Sequence, residues 1–289
     1  MTTRDTTGAG DVARSLELLW GTGERPSRGP RPGLTLDRIV TTAVGIADAE
    51  GLGAVSMRRL STELGTGTMS LYRYVPGKAE LLDLMLDRVT GEPLPDAPPA
   101  GTAPWQDAVR DMARAHLTLY RTHPWLLKVN LSRTVLGPSA LRGLEYALHA
   151  LRAMRLGDTE LISVIITVQS YVSGIARTEL EAVEAAQQTG QSEEDFWNSQ
   201  EPFLSKAMLS GEYPLMAALA EDTFTSDFDH FSFGLERLVA GLEALVRSRE
   251  TADTDANTAP DPDKDATPEA DTEADTDTAP GPDAADSAS

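Results

Sequence analysis

The strongest constraint on what this chain can fold into is a period. Apolar residues recur at helical spacing through most of its length, and no alternating apolar runs flank an Asn-Gly or Asp-Gly turn, so nothing marks out a sheet. The stretch DVARSLELLWG puts Val12, Leu16, Leu19 and Trp20 on one helical face and stops at Gly21. Thr35 caps a helix with Ile39, Val40, Ala43, Ile46 and Ala47 inward, ending at Gly51. Ser56 caps a second helix that ends at Gly65, and a short third runs to about Tyr74. Pro76 and Gly77 open a fourth with Leu81, Leu82, Met85 and Val89 apolar, stopped by Gly91. Beyond it, helical patterns fill residues 105–122, 124–132, 139–155, 158–188, 193–210, 214–220 and 226–248. The expected fold is all-α.

Composition divides this helical chain. Residues 1–33 form an arm: a short helix, then the linker GTGERPSRGPRPG with Arg25, Arg28 and Arg31. Residues 34–91 form a first domain, the Pro-rich 92–104 a linker, and 105–249 a larger helical domain. Residues 250–289 hold no Leu, Ile, Val, Met, Phe, Trp or Tyr. Such a segment cannot bury enough apolar surface to offset its ordering entropy, so an acidic, disordered tail is expected. The first thirty residues contain no apolar run, and the most apolar stretch, 161–176, carries serines, Thr167 and Gln169. It reads as a buried helix, so the chain is expected in the cytoplasm with no membrane partner.

With no cysteine, disulfides, thiolate metal sites and cysteine nucleophiles are excluded. His116 and His123 are seven apart but Pro124 ends that helix, and Asp227, Asp229 and His230 read as a solvated helix start. No metal and no cofactor are expected. No P-loop, Gly-x-Gly-x-x-Gly or Gly-x-Ser-x-Gly occurs, and no carboxylate pair sits on an apolar stretch, so no catalytic residues are assigned.

The formal net charge of −20 argues against a chain that coats nucleic acid. Its distribution reverses the argument. Residues 1–91 are net zero, 92–249 carry −8 and 250–289 carry −12. Within 55–78, VSMRRLSTELGTGTMSLYRYVPGK, the charge is +3: Arg58, Arg59, Arg73 and Lys78 against Glu63. Two short capped helices joined through a glycine suit a helix-turn-helix. Leu60, Leu64 and Leu71 would pack against Ile39 and Ile46, leaving Arg58, Thr68, Ser70, Tyr72 and Tyr74 outside. Small hydroxyls and a tyrosine there suit base edges and phosphates, and Lys78 opens the next helix where an anion is favoured.

Residues 34–89, with LTLDRIVTTAVGIADAEG, SMRRLSTELG and MSLYRYVPGKAELLDLM, resemble the DNA-binding domain of TetR-type transcriptional regulators. HPWL at 123–126 and FSFGLERLVAGLEALV at 231–246 are similar to the tetracycline-repressor C-terminal domain. The resemblance implies a homodimer on double-stranded DNA with a palindromic operator, and a larger domain that binds a small-molecule effector and dimerises. By position it implies DNA contacts from Ser56 and Arg58, then Thr68, Met69, Ser70, Tyr72 and Tyr74, with a phosphate on Lys78. Thr66, Gly67, Tyr74 and Gly77 depart from the usual pattern of the family.

An effector pocket needs a mainly apolar cavity with a few polar groups. Tyr120, Trp125, Gln169 and Tyr171 are the expected lining. The long helices 158–188 and 226–248 are expected to form a four-helix dimer interface, burying Ile165, Val168, Leu235, Leu238 and Leu242. The reading is a ligand-responsive transcriptional regulator, a repressor released by its effector. The alternatives are an activator or ligand-independent regulator of the same fold and, more distantly, a helical enzyme.

Overall fold

The helix starts are written in the capping residues. In the computed structural model, which describes residues 5–21, 34–91, 104–220, 223 and 228–258, Asp11, Thr35 and Ser56 each accept a backbone N–H three residues on. They open α1 (Val12–Trp20), α2 (Leu36–Glu50) and α3 (Met57–Glu63). Then follow α4 (Thr68–Tyr72), α5 (Lys78–Thr90), α6 (Trp105–Thr122), α7 (Pro138–Leu151), α8 (Asp158–Thr189), α9 (Glu193–Leu209), α10 (Pro214–Ala217) and α11 (His230–Thr258). Among the described residues there is no strand, only a parallel bridge between Thr6 and Asn130. Arg25, Arg28 and Arg31, residues 92–103, Asp227 and residues 259–289 lie outside the described residues.

Residues 1–246 form one compact unit. Its core begins where the helical period places it: Ile39, Val40, Ala43, Ile46 and Ala47 of α2 are buried with Leu60, Leu71, Leu81, Leu82, Met85 and Val89. The same apolar cluster continues into α6 through Val109, Ala113 and Leu117, and into α8 through Val164, Val168 and Val172. Residues 247–289 form a second unit, described only over the end of α11. The helix reaches Thr258, so the segment expected to lack structure from residue 250 begins as helix.

Several boundaries differ from the pattern. The helix expected over 124–132 is a 3-10 turn, Pro124–Lys128. Pro124 fixes its own φ, and the chain leaves the turn at Val129 in an extended conformation. α1 turns over relative to its apolar stripe. Val12, Leu16 and Trp20 are exposed, whereas Ser15 is fully buried, its Oγ donating to Asp83 Oδ2 at 2.7 Å. The surface beneath α1 presents carboxylates, and a buried carboxylate needs donors more than it needs methyl groups.

α8 is 32 residues long, and by length and composition it is apolar enough to cross a membrane. Its face Val164, Ile165, Val168, Val172 and Ala176 is instead buried within the bundle. Ile165, Val168 and Leu235, expected between protomers, are thus core residues of a single chain, and Leu238 and Leu242 are half-buried. Among the described residues, the large apolar side chains that α8 and α11 leave exposed are Ile166, Val183 and Phe233. Period shows that a helix has an apolar face but not which neighbour covers it.

Candidate nucleic-acid interface and sensing domain

α3 and α4 form the helix-turn-helix. Gly65 makes the turn in the left-handed region (φ +62°), where a side chain would be strained. α4 is held by Leu71, fully buried in the core, which turns Met69 and Tyr72 outward. Met69 is 76% exposed and Tyr72 44%. Thr68 and Ser70 are half-buried; the Thr68 hydroxyl donates to Ser61 Oγ at 3.2 Å and ties α4 back to α3. Gly67 opens α4 with no side-chain cap, so its first N–H groups are not taken up by a capping side chain.

The basic residues divide into bound and free. Arg59 pairs with Glu63 at 2.6 Å and with Glu50 at 2.8 Å, and these carboxylates raise its already high pKa. Arg88 pairs with Asp37. Lys78 Nζ reaches Asp5 Oδ2 at 3.1 Å and the Leu52 carbonyl at 3.4 Å. Arg58 and Arg73 are exposed and make no ion pair among the described residues. Of the four cations in 55–78, these two guanidiniums are therefore the ones left without an ion pair among the described residues, since Glu63 and Glu50 hold Arg59 and Asp5 holds Lys78.

Two expected contact residues are partly committed elsewhere. Ser56 Oγ accepts the Arg59 N–H at 3.1 Å as the α3 cap. Tyr74 packs on the core and donates its hydroxyl to the Leu34 carbonyl at 3.1 Å, which fixes the entry to α2. The structure thus brings Arg58, Thr68, Met69, Ser70 and Tyr72 together on α3 and α4, and sets Tyr74 and Lys78 at their base.

The four residues expected to line an effector pocket lie in different places. Tyr120 on α6 is buried; burial raises its phenol pKa, and Arg177 draws it back down. Gln169 Nε2 lies 3.1 Å from His116 Nε2 across the seam of α6 and α8. His116 Nδ1 is 2.8 Å from the Met112 carbonyl; Nδ1 therefore carries the proton, and Nε2 accepts from Gln169. Burial lowers the His116 pKa, opposed by that backbone bond. Tyr171 donates to the carbonyls of His230 and Phe231 at 3.0 and 2.8 Å and stacks on Phe231. It packs so closely on α11 that a Cβ at Gly234 would meet its ring.

Trp125, 2% exposed, donates Nε1 to Asp48 Oδ1 at 2.8 Å. His123 Nδ1 meets the same oxygen at 2.7 Å, so α2 is clasped by the 3-10 turn of the larger domain. His116 and Arg177 went unassigned from sequence because a lone His or Arg on a helix carries no motif. Asp229 accepts the Ser232 N–H at 2.8 Å as a helix cap. Among the described residues no group of three His, Cys, Asp or Glu is placed to hold a metal.

A free two-helix reading head on a larger helical domain defines a helix-turn-helix regulator of transcription. Residues 95–246 match the family model of the tetracyclin repressor-like C-terminal domain. The chain is 59% identical to the HTH-type transcriptional repressor DrrR1 of Streptomyces coeruleorubidus, over 85% of this chain and 90% of that one. It is 29% identical to an HTH-type transcriptional regulator of Saccharopolyspora erythraea, over 79% of this chain and 92% of that one. Among solved structures, the TetR family protein ActR of Streptomyces coelicolor in complex with actinorhodin superposes with a TM-score of 0.60 at 34% identity, covering 74% of this chain and 99% of that chain. The chain belongs to the TetR family of transcriptional regulators, and its activity is regulation of transcription rather than catalysis.

Proposed function

We propose that this chain is a cytoplasmic, homodimeric repressor that reads a palindromic operator through α3 and α4 and is released by a small effector bound in the helical domain. The observation that carries it is the α4 surface, exposed Met69 and Tyr72 with half-buried Thr68 and Ser70, beside Arg58 and Arg73, which make no ion pair among the described residues. Arg58 and Arg73 supply phosphate attraction, and the α4 side chains supply base and backbone contacts. The exposed apolar residues Ile166 and Phe233 on α8 and α11 suit a surface covered by a second copy. The repressor relative and the actinorhodin complex of ActR support both the direction of regulation and a small-molecule effector.

Mechanistically, effector binding is a population shift. Its differential affinity for two arrangements of the helical domain sets the change in DNA affinity. α5 spans from the reading head to the larger domain and is the element whose tilt changes the spacing of the two recognition helices. The half-buried pair His116 and Gln169, which meets across the α6 and α8 seam, and the buried Tyr120 are the residues expected to orient an effector.

A gel shift with the DNA flanking its own gene tests this reading. A sequence-specific complex, twice the chain mass per site, and release by added actinorhodin or a related compound are expected. No specific shift at moderate salt with any flanking palindrome would overturn it. Increased target expression on deleting the gene separates repression from activation.

A further inference from the structure

Three acidic residues on α5 are buried although the helix-turn-helix needs none of them. Glu80, Asp83 and Asp87 are 8%, 2% and 7% exposed. Their spacing puts them on one stripe of the helix. Each is satisfied by main-chain N–H groups from elsewhere in the chain. Glu80 Oε1 accepts from Asp11 N at 2.9 Å, and Asp83 Oδ1 from Gly8 N at 2.9 Å. Asp87 Oδ1 accepts from Ser139 N and Ala140 N, at 3.1 and 3.0 Å, in the first turn of α7. The approach is so close that a Cβ at Gly10 would meet Glu80, and one at Gly137 would meet Asp87.

The N-terminal segment held this way on α5 is tied on its other side to the larger domain. Asn130 N donates to the Asp5 carbonyl at 3.0 Å, and Thr7 N to the Asn130 carbonyl at 3.3 Å. Thr7 Oγ1 donates to the Arg133 carbonyl at 2.8 Å, and Trp20 Nε1 to the Leu136 carbonyl at 3.3 Å. At the start of this strap, Asp5 pairs with Lys78. That lysine is the one whose position suits a DNA phosphate.

We propose that the segment from Asp5 to Trp20 is an interdomain strap, positioned by the buried carboxylates of α5, in which Asp5 competes with DNA phosphate for Lys78. The competition rests on the reading of Lys78 as a phosphate contact. Both partners of the pair are partly exposed, so it is weak enough for a phosphate to displace. Because the strap is anchored to the chain at 130–136, a shift of that loop is felt at Lys78 without passing through α6 or α8. DNA binding and the strap then oppose each other, and an effector that steadies the loop favours release.

The test is a double-variant cycle on the full chain. Affinity for a labelled mixed-sequence duplex is measured against salt for wild type, Asp5→Asn, Lys78→Ala and the double variant. Asp5→Asn is expected to raise affinity about tenfold at low salt and to steepen the salt dependence by about one released counterion. Lys78→Ala lowers affinity and abolishes that gain. A gain that persists without Lys78 overturns the competition, as does no gain where Lys78→Ala weakens binding. If Lys78→Ala leaves affinity unchanged, the phosphate role of Lys78 falls, and amide exchange decides the strap separately. Gly8 and Asp11 should be protected in wild type and exchange about tenfold faster in Thr7→Val, which removes the anchor on Arg133. Unprotected amides at both positions would refute the strap whatever the DNA result.

Discussion

At the scale of single residues, two side chains on α3 and α4 and one in the larger domain carry separable predictions. Arg58 is exposed and makes no ion pair among the described residues, so Arg58→Ala leaves the fold intact. Operator affinity should fall by about tenfold at low salt, with a shallower salt slope. Tyr72→Phe keeps the ring and should cost less; equal losses in a titration series would mean that the hydroxyl, not the ring, makes the contact. His116 tests the sensing domain. Burial holds its pKa below the ordinary imidazole value, so below about pH 6.5 the unfolded chain binds more protons than the folded one. Stability is then complete above that pH and declines as pH falls toward the depressed folded value. Protonation at Nε2 also forces the Gln169 amide to turn, since both groups would then be donors. Urea midpoints from about pH 8 to about pH 5 should fall, and His116→Gln should remove that part of the decline; an unchanged slope in the variant would refute the assignment.

At the scale of elements, the helix-turn-helix is legible in the sequence because its requirements are local. Thr35 and Ser56 cap, Gly51 and Gly65 stop, and the apolar period selects Ile39, Leu60 and Leu71. Two glycines show how different the demands on one residue type are. Gly65 sits at φ +62° with open space around a would-be Cβ, so Gly65→Ala should cost about 1–2 kcal/mol from backbone strain alone. Gly45 lies inside α2 with equally open space, so Gly45→Ala should stabilise by about 0.5–1 kcal/mol. Thermal melts of the two variants should move in opposite directions. The pattern of α1 shows where an apolar period stops being informative without its neighbour. The stripe of Val12, Leu16 and Trp20 is real, yet the carboxylate of Asp83 drew Ser15 inward instead. Trp125 and Tyr171, expected to line an effector pocket, make the same point: aromatics are visible in sequence, but their hydrogen-bond partners, Asp48 and the start of α11, are not.

At the scale of the whole molecule, charge is distributed by function. Residues 1–91 are net neutral and the acidic excess lies beyond them. The residues past the end of α11, 259–289, carry −9. Added negative charge opposes non-specific binding to duplex DNA by like-charge repulsion. Removing 259–289 should leave the thermal midpoint unchanged and raise affinity for mixed-sequence duplex at low salt, an effect that disappears at high salt. Equal affinities at low salt would show that the tail field does not reach the DNA. The sequence by itself determined an all-α chain, the order of its helices with the bounds of the early ones, and the family of its reading head, because periods, caps and stops act within a few residues. Only the tertiary structure decided that Arg59 and Lys78 are already paired, that Ile165 and Val168 belong to the protomer core, and that α5 holds the N-terminal segment through buried carboxylates. Those facts depend on which surfaces meet across long stretches of chain, and ion pairing and burial exist only once they have met.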